Sequence, residues 1–202
     1  IVGMGDFSAI ELQKVLAGKH VSVSASLGEN AEALSGNASV RDLETMLQLT
    51  TLCFAPMRTD EEAVNAFRKR ARQALEMQAA DPMTAFRDTI TWTMAKNKSR
   101  VVFAKPELVD RMSFDRIKQI YDSRFDHADN FTFFFVGNLE GDSVKTKIAQ
   151  YLGSLPVKGV EDKAVNRDKG DGRGVAENQF SRDLEQEVST VCMGWRGDMT
   201  FK

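Results

Sequence analysis

His20 and His127 are the only two imidazoles in 202 residues, and their spacing decides what chemistry they could do. A helix that holds zinc needs two imidazoles one turn apart on one face. They come as HExxH or in the inverted HxxEH order, with the glutamate activating a water. Neither pattern occurs, and neither histidine has a partner at helical ligand spacing. His20 stands at the start of a strand-like run and His127 in the polar turn before another, so both are expected as ordinary surface or capping residues.

The remaining candidates read as structural. There is no GxSxG elbow, no Walker loop and no dinucleotide fingerprint; Gly3-Met4-Gly5 lacks both the third glycine and a preceding strand. Glu76 and Asp81 could be imagined as an acid/base pair. The Asp81-Pro82 signature, however, already explains Asp81 as a helix cap, and Glu76 falls opposite an apolar stripe. Arg68, Lys69, Arg70 and Arg72 form a basic run flanked by Asp60 to Glu62 and by Glu76, the pattern of a solvated helix face. Cys53 and Cys192 are too few for a disulfide framework or a metal knuckle and are expected as buried free thiols. No catalytic, cofactor-binding or metal-ligating residue is expected in this chain.

The elements follow from periodicity and caps. A first helix starts at Asp6 or Ser8 and ends at Gly18. The alternation Val21 to Ser26 predicts a strand with one polar face, and Ala31 to Ser35 a second, with Gly28 and Asn30 in the turn of a hairpin. Ser39 precedes Asp42 by three residues at the start of a helix through Leu43, Met46, Leu47, Thr50 and Phe54 to Pro56. Asp60, Glu61 and Glu62 crowd the first turn of the next helix, striped by Val64, Phe67, Ala71 and Leu75. Asp81-Pro82 opens a third, with Met83, Phe86, Ile90 and Met94 in register, and these three helices are expected to share a layer.

Residues 96–112 read as loop with a helical turn near Pro106, and Ser113 caps a helix carrying Phe114, Ile117, Tyr121 and Phe125. The Phe-rich run Phe131 to Val136, closed by Gly137-Asn138, predicts a strand covered on both faces. Gly141-Asp142 then opens a helix that stops at Gly153 and Pro156. Val157 to Asn178 holds four glycines, five Lys or Arg and five Asp or Glu, the composition of a linker; the glycines at 170, 172 and 174 belong to it and not to a phosphate cradle. Val188 to Trp195 returns to strand character. The expected organisation is a domain over 1–156, a linker over 157–178 and the opening of a further domain over 179–202, in a chain cut from something longer.

Composition narrows the function. A 42% apolar content is ample for a core, and a formal net charge of -2 with a pI near 5.8 gives no field that draws nucleic acid or an anionic membrane. No apolar run approaches the roughly 20 residues of a membrane span, so neither nucleic acid nor a membrane span is expected.

An ordered series of segments resembles the insulinase, pitrilysin and mitochondrial-processing-peptidase family of zinc metallopeptidases, in its non-catalytic half. They are Gly3-Met4-Gly5-Asp6-Phe7-Ser8, Leu16-Ala17-Gly18-Lys19 leading into Val21 to Ser24, and Asp42 to Leu49. Arg124-Phe125, Phe131 to Asn138 and Tyr151 to Pro156 complete them. The resemblance covers about residues 1 to 156. It implies an α+β two-layer sandwich, a mostly antiparallel sheet with helices on one face. It also implies two homologous halves closing around a peptide, with zinc in the catalytic half of the parent polypeptide or of a partner subunit. The helix around Asn65 to Met77 corresponds to the one that carries a glutamate ligand in active halves, but without histidines Glu76 is not assigned to metal. The family's substrate-holding Arg and Tyr belong to the domain that begins near Val188, so no catalytic residue carries over. The expected functional surface is a sheet edge that takes peptide as an added strand. The resemblance also implies a bacterial envelope location, and its alternative is an assembly subunit that has lost the peptidase chemistry.

Overall fold

The computed structural model describes residues 3–28, 31–95, 101–139, 141–161, 163, 165, 174–182, 187–195 and 197. Its elements are α1 (Ala9–Val15), β1 (Val21–Leu27), β2 (Glu32–Ala38), α2 (Leu43–Cys53) and α3 (Glu61–Ala80), followed by α4 (Pro82–Met94), α5 (Pro106–Asp110), α6 (Phe114–Phe125) and α7 (Asp142–Leu152). A 3-10 turn, Val40–Asp42, leads into α2. Two compact units result, residues 1–67 with 113–163 and residues 68–112 with 164–202. The first seven residues of α3 fall in one and the remainder in the other.

In the first unit, Ser8 caps α1 through a reciprocal pair. Its hydroxyl accepts from the Glu11 amide at 3.3 Å while the Glu11 carboxylate accepts from the Ser8 amide at 2.8 Å. The helix ends at Val15, short of the expected Gly18; that glycine instead closes the following turn with φ +76°. β1 and β2 pair antiparallel from Val21 opposite Ala38 to Leu27 opposite Glu32. Val21, Val23 and Ala25 are half-buried and Ser22, Ser24 and Ser26 exposed, the one polar face that the alternation predicts. Asn30 of the expected turn lies outside the described residues.

α2 packs on both strands and on α7, and it buries Leu47, Leu49 and Cys53. Phe54 follows it into an aromatic cluster, edge-on to Phe131 at 5.1 Å between centroids and to Phe125 at 6.4 Å. Tyr121 stacks on Phe125 at 4.7 Å, and its hydroxyl donates to the Cys53 carbonyl at 2.7 Å. Glu44 ties α2 to α7, accepting from Lys147 at 2.6 Å and from the Tyr151 hydroxyl at 3.0 Å.

The second unit is built from α4, α5 and most of α3. Asp81 caps α4, accepting from the Met83 amide at 3.0 Å, with Pro82 in the first turn. Arg68 donates to the Met112 carbonyl at 2.6 Å, and Val109 of α5 is buried. Trp92 meets Phe103 at 6.4 Å, and Asn178 donates to Thr93 at 2.7 Å. α2 lies in the first unit and α4 in the second.

Two expected strands are corrected. Residues 131–136 pair with nothing among the described residues, and their burial alternates: Phe131, Phe133 and Phe135 are half-buried, whereas Phe134 is 86% and Val136 99% exposed. This is extended chain covered on one face only. The abundance of Phe signals burial but does not count the faces, and a strand is covered twice only where other elements pack on both of them. Residues 188–195 likewise form no strand among the described residues, and Val191 and Trp195 are 84% and 81% exposed. The class is α+β, with seven α-helices and one two-stranded antiparallel sheet among the described residues.

The two thiols separate cleanly. Cys53 is 1% exposed, and burial pushes its thiol up to about 11, whereas Cys192 is exposed, contrary to its expected burial. Titration of the native chain with a thiol-specific chromophoric disulfide at pH 8 should therefore give one rapid equivalent. The second should appear only on adding denaturant, and two rapid equivalents would contradict the burial of Cys53.

Candidate functional site

In the first unit the outer edge of β2 presents unpaired main chain to a groove. The ladder is closed at one end by the Ser39 amide donating to the His20 carbonyl at 2.9 Å and at the other by the Gly28 amide donating to the Ala31 carbonyl at 2.9 Å. Hydrogen-bonded pairs alternate along an antiparallel ladder. With that phase, the amides and carbonyls of Glu32, Leu34, Gly36 and Ala38 point away from β1. Among the described residues no backbone hydrogen bond takes them.

Facing that edge across a groove of about 420 Å³ runs the segment 130–139. The volume lies within the range of ordinary ligand clefts, roughly 300–1,000 Å³. Apolar groups from Val23, Leu34, Leu43, Met46, Phe133 and Phe135 line it. Gly36 keeps β2 close to α2, because a Cβ there would meet Met46 Sδ at 3.2 Å.

A buried carboxylate fixes the end of this edge. Asp42 is 5% exposed and accepts from the Ser39 hydroxyl at 2.6 Å and from the His20 amide at 3.0 Å, which locks the exit of β2 to the start of both β1 and α2. The Ser39 hydroxyl, then the His20 amide, hold its carboxyl below the ordinary carboxylate range. On the other side, Asp122 of α6 accepts from the Met57 amide at 2.8 Å and from Lys118 at 2.7 Å. The Ser39–Asp42 spacing marked the helix start; the cross-link to His20 joins residues 22 apart and leaves no local signature.

The residues singled out for chemistry are not brought together. His20 is exposed at the head of β1. His127, expected at the surface, has a side chain only 13% exposed between Asp126 and Asp129. The burial comes from a turn closing on residues 156–159, which no local pattern announces. Glu76 is exposed and pairs with Arg72 at 3.0 Å, and Asp81 is the cap of α4. Within the basic run, Arg68 serves the Met112 carbonyl and Arg72 bonds Glu76 and Asp110, while Lys69 and Arg70 are exposed. Gly3 and Gly5, at φ +91° and +54°, bracket a tight turn in which Met4 and Phe7 bridge. Gly170 and Gly172 lie outside the described residues. No group of three metal-ligating side chains occurs among the described residues, and no described helix is long and apolar enough to cross a membrane.

Comparison with known proteins gives one family match. Residues 111–200, from the entry to α6 through the Phe-rich segment and α7 to near the chain's end, match the family described as the Peptidase M16 inactive domain. No curated protein matches the chain. Over residues 111–200 the chain is therefore similar to the Peptidase M16 inactive domain, which supports the resemblance to the non-catalytic half of the insulinase and pitrilysin peptidases.

Proposed function

We propose that this chain is part of the non-catalytic half of a zinc metalloendopeptidase and forms part of the wall of a chamber that encloses extended peptides. The observation that carries the reading is the family match over residues 111–200, to a domain described as inactive. The sequence is consistent with it, since neither HExxH nor HxxEH occurs in the 202 residues. In this reading zinc belongs to a catalytic half, in the same polypeptide or in a partner subunit. The hairpin is then one part of a larger, mostly antiparallel sheet with helices on one face. Extended polypeptide adds to the outward groups of β2, with apolar side chains alternating into the groove against Phe133 and Phe135.

The test has two readouts on the 202-residue chain. Incubated with zinc and a mixed fluorogenic peptide library, it should cleave nothing and retain no stoichiometric zinc after desalting. Chelator-sensitive turnover would overturn the assignment. An extended peptide of alternating apolar and polar residues should shift the amide resonances of Leu34 and Gly36 while leaving those of Ser22 and Ser24 in place. Shifts confined to other surfaces would remove the β2 edge from the reading.

A further inference from the structure

Two polar atoms in the turn after α6 are buried without a hydrogen-bond partner, His127 Nδ1 and Asp126 Oδ1. Each nevertheless faces an opposite number. Nδ1 stands 3.1 Å from Asp129 Oδ2, and Nε2 stands 3.8 Å from Asp126 Oδ1. The same two carboxylates grip the chain that leaves α7. Asp129 accepts from the amides of Lys158 at 2.8 Å and Gly159 at 3.0 Å, and Asp126 pairs with the Lys158 ammonium. The Ala128 amide donates to the Pro156 carbonyl at 2.8 Å. Residues 126–129 therefore clamp 156–159, at the root of the glycine- and charge-rich stretch.

A neutral imidazole cannot serve this site well. Only one of its nitrogens carries a proton, so the other presents a lone pair to a carboxylate; an imidazolium presents a donor to each side. Leaving buried polar atoms unmatched is costly, and imidazole is the side chain whose charge ordinarily changes between pH 5 and 8. Asp126 and Asp129 of its own turn stand against the ring, and Lys158 of the returning segment pairs with Asp126. Lys158 is already neutralised by Asp126, and Arg124 at the end of α6 is paired with Glu32 of β2 at 3.4 Å. Two carboxylates against one ammonium leave this turn with one net negative charge.

We propose that His127 is a pH-operated latch: protonated, it ties Asp126 and Asp129 across its ring and holds residues 156–159 against the turn; deprotonated, it lets that segment loosen. Acidification tightens the root of the following stretch, and alkalinisation frees it.

Amide hydrogen exchange in the 202-residue chain tests this. Protection of Lys158 and Gly159, corrected for the intrinsic rate and referenced to the α2 amides, should fall about fivefold between pH 5.5 and 8, the size of one partly screened ion pair. In His127→Gln it should stay at its high-pH level throughout. A flat profile in the unmodified chain, or the same fall in the variant, overturns the latch. Should the variant not fold, imidazole titration by NMR decides. The His127 ring and the Lys158 and Gly159 amides must move with one midpoint while exposed His20 does not couple to them; unrelated midpoints refute the proposal.

Discussion

Phe125→Ala is expected to cost the first unit about 3–5 kcal/mol, the range for deleting a fully buried aromatic ring. The residue is 1% exposed and holds three other rings: Tyr121 at 4.7 Å, Phe131 at 5.7 Å and Phe54 at 6.4 Å. Those partners come from α6 itself, from the Phe-rich segment and from the end of α2, so one truncation loosens three elements at once. Collapse around the lost ring is limited because Leu47 and Cys53 are already closed off from solvent at 0% and 1% exposure. For a unit of this size the loss corresponds to a fall in Tm of roughly 10–20 °C. Phe134→Ala supplies the contrast. Its side chain is 86% exposed, and its removal should change stability by less than about 0.5 kcal/mol. Urea unfolding of both variants at pH 7 measures the pair, and equal midpoints would mean that the aromatic cluster is not the core. There is a functional corollary, since Phe131 and Phe133 position the wall of the groove. Phe125→Ala should also abolish the peptide-induced shifts at Leu34 and Gly36.

What was legible in the sequence was local, and the reason is physical. A cap acts within one turn, so Asp6 or Ser8, Ser39 with Asp42, Asp81 with Pro82 and Ser113 each marked a helix start that the structure reproduces to within a few residues. Period-two alternation in Val21 to Ser26 likewise gave both the strand and its polar face. Faces and partners were not local. The Phe-rich run has the composition of a strand buried on both sides, yet which faces are covered depends on elements remote in sequence, and in this structure one face is open. The groove shares that origin. It exists because β2 leaves its outer amides unpaired opposite a segment about 100 residues later in the chain. The cross-links that hold it, Asp42 to His20 and Asp122 to Met57, join residues 22 and 65 apart. Motif reading fared better on family than on site. The ordered segments pointed to the non-catalytic peptidase half, and the family match over residues 111–200 agrees with those from Arg124 onward. Ordered segments are read over a long span, whereas a site is a matter of a few ångströms.

Apart from the local His127 latch, the dependence of stability on pH should have two falling limbs, one acid and one alkaline. On the acid side, Asp42, Glu44 and Asp129 are all held below the ordinary carboxylate range: Asp42 by the Ser39 hydroxyl, Glu44 by Lys147 and Asp129 by the Lys158 amide. For Asp122, burial pushes the carboxyl up, but Lys118 and the Met57 amide outweigh it and leave it lowered. A depressed carboxyl contributes stability that is present above its unfolded value, near 4, and is lost as pH falls through the folded value. Stability should therefore hold down to about pH 4 and decline below it. The alkaline limb rests on one buried pair. Burial raises the Cys53 thiol from an ordinary 9.0 to about 11, and it raises the Tyr121 phenol in the same direction. A group raised on folding contributes stability that is fully present below its unfolded value and is lost as pH climbs through the folded one. For Cys53 the loss spans pH 9 to 11, and two pH units correspond to about 2–3 kcal/mol. Tyr121 adds to the loss at the upper end, since its phenolate would lie beside a thiolate and the Cys53 carbonyl that its hydroxyl now satisfies. Urea midpoints at pH 8, 9.5 and 11 should fall in sequence. Cys53→Ala should start lower, because it leaves a cavity, and should then fall less steeply. If the variant loses as much between pH 8 and 11 as the unmodified chain does, the buried thiol is not the source of the alkaline limb.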